Sequence, residues 1–141
     1  MLKILKRNIL YIAFFQALIS TVGSLFFSEI LKFPPCVLCW YQRIAMYPLV
    51  VILAIGILKK DKLMPYYVLV LSLLGFVIAF YHNLLYYSLI PEAAAPCAAG
   101  ISCTTKFIQW LGFVTIPFLS LTSFAIISAC AWISLKSSKE V

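Results

Sequence analysis

Apolar and polar residues alternate along the chain in blocks rather than singly. Long stretches contain no Asp, Glu, Lys or Arg, and they run over residues 8–28, 44–58, 63–91 and 107–135. A helix needs about 20 mainly apolar residues to cross the hydrocarbon core of a membrane. The pattern therefore predicts membrane-spanning helices near residues 9–28, 40–58, 63–84 and 112–134.

Composition supports the same conclusion. Hydrophobic residues make up 65% and charged residues 11% of the 141 positions. So short a chain cannot bury that much apolar surface away from water, and disordered chains are polar instead. We expect an all-α integral membrane protein, a four-helix transmembrane bundle that forms a single membrane domain over residues 1–141.

The first span also has features of a secretory signal peptide, because Lys3, Lys6 and Arg7 precede it. Its apolar stretch is longer than a signal peptide requires, and no clear small-residue cleavage site follows. We therefore expect the first span to be retained as a helix.

Basic residues predict the orientation. Eight lie at the termini or in the 59–62 connection, and three lie elsewhere. Cytoplasmic segments carry the excess of Lys and Arg, so both termini should be cytoplasmic and the loops 29–39 and 85–111 should face outward. Because the basic residues lie between apolar runs, the net charge of +7 reflects topology, and we expect no nucleic-acid partner.

Four of the five cysteines fall in these outward segments. Cys36 and Cys39 lie at the end of the first loop, and Cys97 and Cys103 lie in the second. Disulfides persist on the oxidising side of a membrane, so both pairs are candidates for redox chemistry. Cys130 lies within the fourth span, where we expect it to pack as a small apolar side chain.

The first pair follows two prolines, after which a helix can begin. Cys36 and Cys39 then share one face near a helix N-terminus, where the helix dipole favours a thiolate. Arg43 lies one turn beyond Cys39. We expect its guanidinium to stabilise a Cys39 thiolate or to donate hydrogen bonds to a carbonyl oxygen of a bound ligand.

Two structural explanations of the cysteines compete with redox chemistry. A zinc site of four thiolates is one, but a CxxC joined to a pair with a five-residue spacer is not a usual zinc spacing, so we expect no metal. A structural disulfide staple is the other. A CxxC ring is too small to restrict the unfolded chain much, and such a disulfide is usually redox-active.

The second pair lies in a segment of small residues with Pro96 and Gly100, typical of an exposed loop that another protein's thiolate can reach. Thiol–disulfide exchange can pass electrons from that loop to the first pair. A cysteine pair held against lipid has a lipid-soluble quinone as its obvious acceptor.

The run Cys36-Val37-Leu38-Cys39 followed by Arg43, with a second outward pair, resembles the DsbB family of bacterial membrane disulfide-forming proteins, in particular its short BdbC-type members. The resemblance implies a quinone-reducing protein-disulfide oxidoreductase of the bacterial cell membrane. Such a protein reoxidises a thioredoxin-like extracytoplasmic thiol oxidase (DsbA- or BdbD-like) and supports disulfide formation in exported proteins. The acceptor would be menaquinone or ubiquinone.

The resemblance also implies roles for individual residues. Cys97 resembles the cysteine that forms a mixed disulfide with the partner, and Cys103 resembles its mate, which then pairs with Cys36. Cys39 resembles the cysteine that interacts directly with the quinone ring. Arg43 and His82 resemble the arginine and histidine near the quinone.

Simpler roles stay open for two polar residues in the spans. His82 also fits an interfacial histidine that is hydrogen-bonded to a backbone carbonyl. Gln16 is the only amide inside the first span, and it fits either a hydrogen bond across helices or contact with a quinone carbonyl.

Two alternative functions remain. A small four-span transporter or accessory subunit would use the cysteines as structural disulfides. Transporters usually carry an ionisable residue deep in a span, whereas the acids here lie at span ends or in loops. An enzyme similar to vitamin K epoxide reductase would share the bundle, but its loop pair precedes a late CxxC, and here the CxxC comes first.

Overall fold

A computed structural model of the protein describes residues 2–89, 91 and 115–139. Its helices are α1 over Leu2–Leu25, extended by a π-helical segment over Phe26–Ile30, α2 over Val37–Lys59, α3 over Met64–Tyr86 and α4 over Ile116–Lys139. Each is long and apolar enough to cross a membrane, and no strand occurs among the described residues. The predicted all-α, four-span architecture is confirmed. The side on which the termini lie stays a prediction.

The helix ends differ from the predicted span ends. α1 begins at Leu2, before the basic residues that bound the first apolar stretch. Lys and Arg are good helix formers, so charges can end a membrane-spanning stretch without ending the helix. α4 begins with Pro117 in its first turn and runs on to Lys139, where basic residues favour a helix C-terminus.

A tight connection makes α2 and α3 neighbours. Lys60 takes a left-handed conformation with φ 53°, and its N–H reaches the carbonyl oxygens of Gly56 and Ile57. Pro65 then lies in the first turn of α3, where its missing N–H does no harm. The chain thus reverses within a few residues, and α3 returns along α2.

The described helices pack in a ring. α1 packs on α2 and α4, and α3 packs on the same two helices. The core combines small and large side chains from all four: Ala13, Ala17, Ala45, Met46, Leu49, Leu53, Met64, Val68, Ala79, Phe124, Ile127 and Ala131. Cys130 packs against this core, partly buried, as predicted. Many large apolar side chains remain exposed on the outside of the bundle, which suits lipid rather than water.

Side-chain hydrogen bonds link α4 to both of its neighbours. Gln16 Nε2 of α1 donates to Ser123 Oγ at 3.0 Å. Ser128 Oγ donates to Ser72 Oγ of α3 at 2.9 Å, and Asn83 Nδ2 donates to the Pro117 carbonyl oxygen at 2.9 Å. Gln16 therefore makes the hydrogen bond across helices that was one of its two predicted roles.

Candidate active site at the start of helix α2

The first cysteine caps helix α2. Cys36 precedes the helix in an extended conformation (φ −79°, ψ 176°), and its Sγ accepts a hydrogen bond from the backbone N–H of Cys39 at 3.4 Å. The carbonyl oxygen of Cys36 accepts from the N–H of Trp40 at 3.1 Å. The prolines at 34 and 35 stop the preceding chain from being helical, so the helix starts where the sequence predicts.

The two sulfurs face each other within one turn. Cys36 Sγ and Cys39 Sγ lie 3.1 Å apart, within hydrogen-bond distance. Cys36 is only 6% exposed, whereas Cys39 is half-buried. A disulfide needs a sulfur separation of about 2 Å, so small side-chain rotations bring this pair from dithiol to disulfide.

His82 and Gln42 form a buried polar group beside Cys36. His82 Nε2 lies 3.9 Å from Cys36 Sγ, and His82 Nδ1 lies 2.9 Å from Gln42 Nε2. His82 and Gln42 are 2% and 7% exposed. Because Gln42 belongs to α2 and His82 to α3, this contact also joins the two helices.

These neighbours favour the Cys36 thiolate. A hydrogen bond with the Cys39 side chain is the main cause that holds the pKa of Cys36 well below its usual range; burial opposes it, and His82 and the Cys39 backbone lower the pKa further. A thiolate is the nucleophile in disulfide exchange, so this lowering favours Cys36 as the nucleophile of the pair. The sequence analysis considered a Cys39 thiolate instead, because the spacing of the two cysteines does not show which of the two thiols caps the helix.

Arg43 contacts α1. Its Nε donates to Ser24 Oγ at 3.0 Å, and its terminal NH2 group donates to the Ser24 carbonyl oxygen at 3.1 Å. The guanidinium also lies 5.3 Å from the centroid of the Trp40 ring, a cation–π contact. The described hydrogen bonds of Arg43 thus hold its charge against α1, and neither of them goes to the Cys39 thiol.

A cavity of about 370 Å³ opens beside Cys39, between α1, α2 and α4. Most of its lining is apolar, and Gln42, Arg43 and Tyr47 also line it. His82 does not line this cavity and instead lies at Cys36. The structure therefore brings Cys36, Cys39 and His82 together and places Arg43 at the cavity.

The donor atoms of Cys36, Cys39 and His82 all lie within 4.8 Å of one another. A structural zinc site needs about four ligands, and a disulfide between the two sulfurs leaves one of these three, so their proximity alone does not make the group a metal site.

The predicted second pair, Cys97 and Cys103, lies outside the described residues. Sequence reasoning missed Gln42 and Ser24, the side chains that hold His82 and Arg43. The sequence marks Gln42 only weakly: it is an amide that lies between Cys39 and Arg43, two residues with predicted roles. Ser24 has none, because one serine near the end of a span looks like any other.

The known proteins to which this chain is similar are described as disulfide formation proteins. A family model described as "Disulfide bond formation protein DsbB" matches residues 6–134. "Probable disulfide formation protein C 1" of Bacillus anthracis is 45% identical over 128 residues, which cover 91% of this chain and 92% of that protein. "Disulfide bond formation protein C" of Bacillus subtilis (strain 168) is 47% identical over 120 residues, 84% of this chain and 86% of that protein.

A third relative is the "SPbeta prophage-derived disulfide bond formation protein B" of Bacillus subtilis (strain 168). It is 44% identical over 122 residues, which cover 86% of this chain and 81% of that protein. No solved structure matches the chain.

Proposed function

The chain belongs to the DsbB family of membrane protein-disulfide oxidoreductases, and from that premise we propose that it oxidises an extracytoplasmic dithiol protein and delivers the electrons to a membrane quinone. The partner is a thioredoxin-like thiol oxidase, and the membrane is the bacterial cell membrane. Both cysteine pairs face the extracytoplasmic side, where substrates of disulfide formation are found.

The electrons move as pairs in three exchanges. The partner's dithiol reduces the Cys97–Cys103 disulfide and becomes a disulfide itself. The resulting Cys97–Cys103 dithiol then reduces the Cys36–Cys39 disulfide, and the Cys97–Cys103 disulfide re-forms. The Cys36–Cys39 dithiol then gives two electrons and two protons to the quinone, which leaves as quinol into lipid. Each exchange breaks one disulfide or reduces one quinone and forms one disulfide.

The observation that carries the proposal is the position of Cys39. Its half-buried side chain lines the cavity, while Cys36 lies 3.1 Å away, sulfur to sulfur, on the side of His82. One sulfur therefore faces a ligand space and the other faces protein. That arrangement suits a pair in which Cys39 meets the quinone and Cys36 exchanges with Cys103.

The cavity fits a quinone head group. Its lining is mostly apolar, as a hydrophobic ring and tail require, with a few polar groups to bind carbonyl oxygens. The Tyr47 hydroxyl is buried and has no hydrogen-bond partner among the described residues. Arg43 supplies guanidinium donors at the same cavity. These groups are the candidates for quinone binding on this chain.

Cys39→Ser tests the quinone step. We expect purified Cys39→Ser protein to lose thiol-dependent reduction of a quinone analogue, followed by its absorbance in detergent with dithiothreitol as the reductant. Cys130→Ser is the matched control, because Cys130 packs against the core away from the site and should reduce quinone at the parent rate. Reduction by Cys39→Ser at the parent rate would contradict the proposal.

Cys97→Ser tests the partner step. We expect this variant to stop oxidising a reduced thioredoxin-like dithiol protein, because the loop disulfide that the partner attacks can no longer form. Free-thiol quantification of that protein during turnover measures the loss. Undiminished oxidation of the dithiol protein by Cys97→Ser would show that electrons enter elsewhere.

A further inference from the structure

Gln42 is a buried amide that the proposed electron route does not use. It is 7% exposed, and its Nε2 lies 2.9 Å from His82 Nδ1. An amide NH2 group only donates hydrogen bonds, so Nδ1 must accept. The proton of the neutral ring then sits on Nε2, the nitrogen that faces Cys36 Sγ at 3.9 Å.

We propose that Gln42 is a positioning residue that fixes the Nε2–H tautomer of His82, so that the ring donates a hydrogen bond to the Cys36 thiolate. The order Gln42–His82–Cys36 matches the general arrangement in which a third group orients a histidine beside a nucleophile. Here the histidine stabilises the thiolate as a donor. It does not act as a base, because Nε2 already carries its hydrogen.

The inference rests on the proposed function in one respect, namely that Cys36 belongs to the redox pair. Its chemical basis is independent of turnover. A hydrogen bond that is donated to a thiolate favours the ionised form, and a lone pair in its place would repel it. In the other tautomer, Nε2 carries a lone pair that faces the sulfur and repels the thiolate. By holding hydrogen on Nε2, the amide of Gln42 makes the contact attractive.

The groups around Cys36 define the controls. Among the described residues, the titratable groups that face its thiol are Cys39 on α2 and His82 on α3, and Tyr81 of α3 packs against the same cluster. Arg43 is directed to Ser24 on α1. Asn83, also 7% exposed, follows His82 but bonds the carbonyl oxygens of Ala79 and Pro117. Asn83 is therefore a buried amide of the same kind without the contact to the imidazole.

The first experiment measures the reactivity of Cys36 directly. In reduced protein that carries Cys97→Ala, Cys103→Ala and Cys130→Ala, the rate of alkylation by iodoacetamide is followed against pH, and mass spectrometry of fragments separates Cys36 from Cys39. We expect Gln42→Leu to raise the midpoint of the Cys36 profile by about one pH unit, the shift that corresponds to one hydrogen bond to a charged group. Asn83→Leu should leave the midpoint unchanged.

A double variant tests whether Gln42 acts through the histidine. His82→Leu should raise the midpoint at least as far as Gln42→Leu does, and adding Gln42→Leu to His82→Leu should raise it no further. An unchanged midpoint in Gln42→Leu, or shifts that add in the double variant, would overturn the proposal.

A second measurement needs no substitution near the site. His82 is the only histidine in the chain, so 15N-histidine labelling gives one pair of ring-nitrogen signals whose chemical shifts report which nitrogen carries hydrogen. We expect hydrogen on Nε2 in the reduced protein, and hydrogen on Nδ1 alone would overturn the proposal. Neither experiment requires quinone, so both results can be interpreted even where the proposed quinone step fails.

Discussion

Two consecutive polar residues on α2 point to different neighbours. Gln42 reaches His82 on α3, and Arg43 reaches Ser24 on α1. Successive residues on an α-helix are about 100° apart, so neighbours in sequence contact different helices. The turn that follows the CxxC is thus held by α3 on one side and by α1 on the other.

Arg43→Lys tests whether a held guanidinium matters at the cavity. Lysine has no planar group with two parallel donors, so it cannot reproduce the geometry of the two contacts to Ser24. We expect the KM for a quinone analogue to rise about tenfold, the loss of one hydrogen bond to a charged group, with a smaller change in kcat. Steady-state kinetics in detergent measures both.

Ser24→Ala serves as the graded control, since it removes the hydroxyl and leaves the Ser24 carbonyl oxygen as an acceptor. Its KM should rise by only about two- to threefold, because one acceptor remains. A KM for Arg43→Lys within twofold of the parent value would show that any cation suffices at this position.

The placement of residues was predictable where it follows from their spacing in the sequence. Cys36, Cys39 and Arg43 lie close enough in sequence for helix geometry to place them on one face of α2. The contact of His82 with Cys36 joins residues that are 46 positions apart, and the contact of Gln42 with His82 joins residues 40 apart. No local pattern encodes such partners, which is why Gln42 was missed.

At the scale of the helices, close packing of α3 against α4 depends on Gly75. A Cβ at that position would overlap the ring of Phe124, which is fully buried in the core. Gly56 stands in the same relation to Met64 where α2 meets α3. Two glycines thus permit a close approach at two of the contacts between helices, and neither is needed for a turn.

Gly75→Ala should therefore destabilise the bundle. Overpacking a core site costs about 1–3 kcal/mol, because the ring and the backbone must shift. The apparent melting temperature in one fixed detergent should fall relative to the parent.

Gly23→Ala is the matched substitution, because a Cβ at Gly23 meets nothing within 4 Å. Alanine is favoured over glycine in a helix by about 0.5–1 kcal/mol, so this variant should melt at or above the parent temperature. Equal losses in the two variants would mean that the Phe124 contact does not decide the effect.

Helix existence was predictable from the charge-free stretches, and the start of α2 from the two prolines, but the limits of α1 and the cavity were not. α1 continues through basic residues, and its last turn widens into the π-helical segment Phe26–Ile30. The cavity depends on how α1, α2 and α4 diverge, which is a property of their packing. A hydropathy pattern predicts the length of a membrane span but not the shape of the space between packed spans.

At the scale of the whole molecule, each of the four closely packed helix pairs among the described residues shares at least one side-chain hydrogen bond. Gln42 and His82 join α2 to α3, and Arg43 and Ser24 join α2 to α1. The α1–α4 and α3–α4 pairs are joined by the amide and serine contacts described above. In lipid, where apolar surfaces gain little by association, such bonds help to specify which helices meet.

The predicted orientation is open to a direct test. In intact cells kept reduced, a membrane-impermeant thiol reagent should label Cys97 and Cys103, since the distribution of basic residues predicts that their loop lies outside. In a cysteine-free background, Lys62→Cys is the control, because this exposed position lies in the predicted cytoplasmic connection and should react only after the membrane is disrupted. Labelling of the 97 and 103 thiols only after disruption would reverse the orientation.

The contact between Gln42 on α2 and His82 on α3 has a consequence for biogenesis. While the chain is being synthesised, Cys36 and Cys39 enter the membrane before His82 does. A nascent chain with only its first two spans inserted has both thiols but lacks the imidazole that contacts Cys36. The contact between His82 and Cys36 can therefore form only after the third span has docked against the second, so insertion of the third span completes the surroundings of the first cysteine pair.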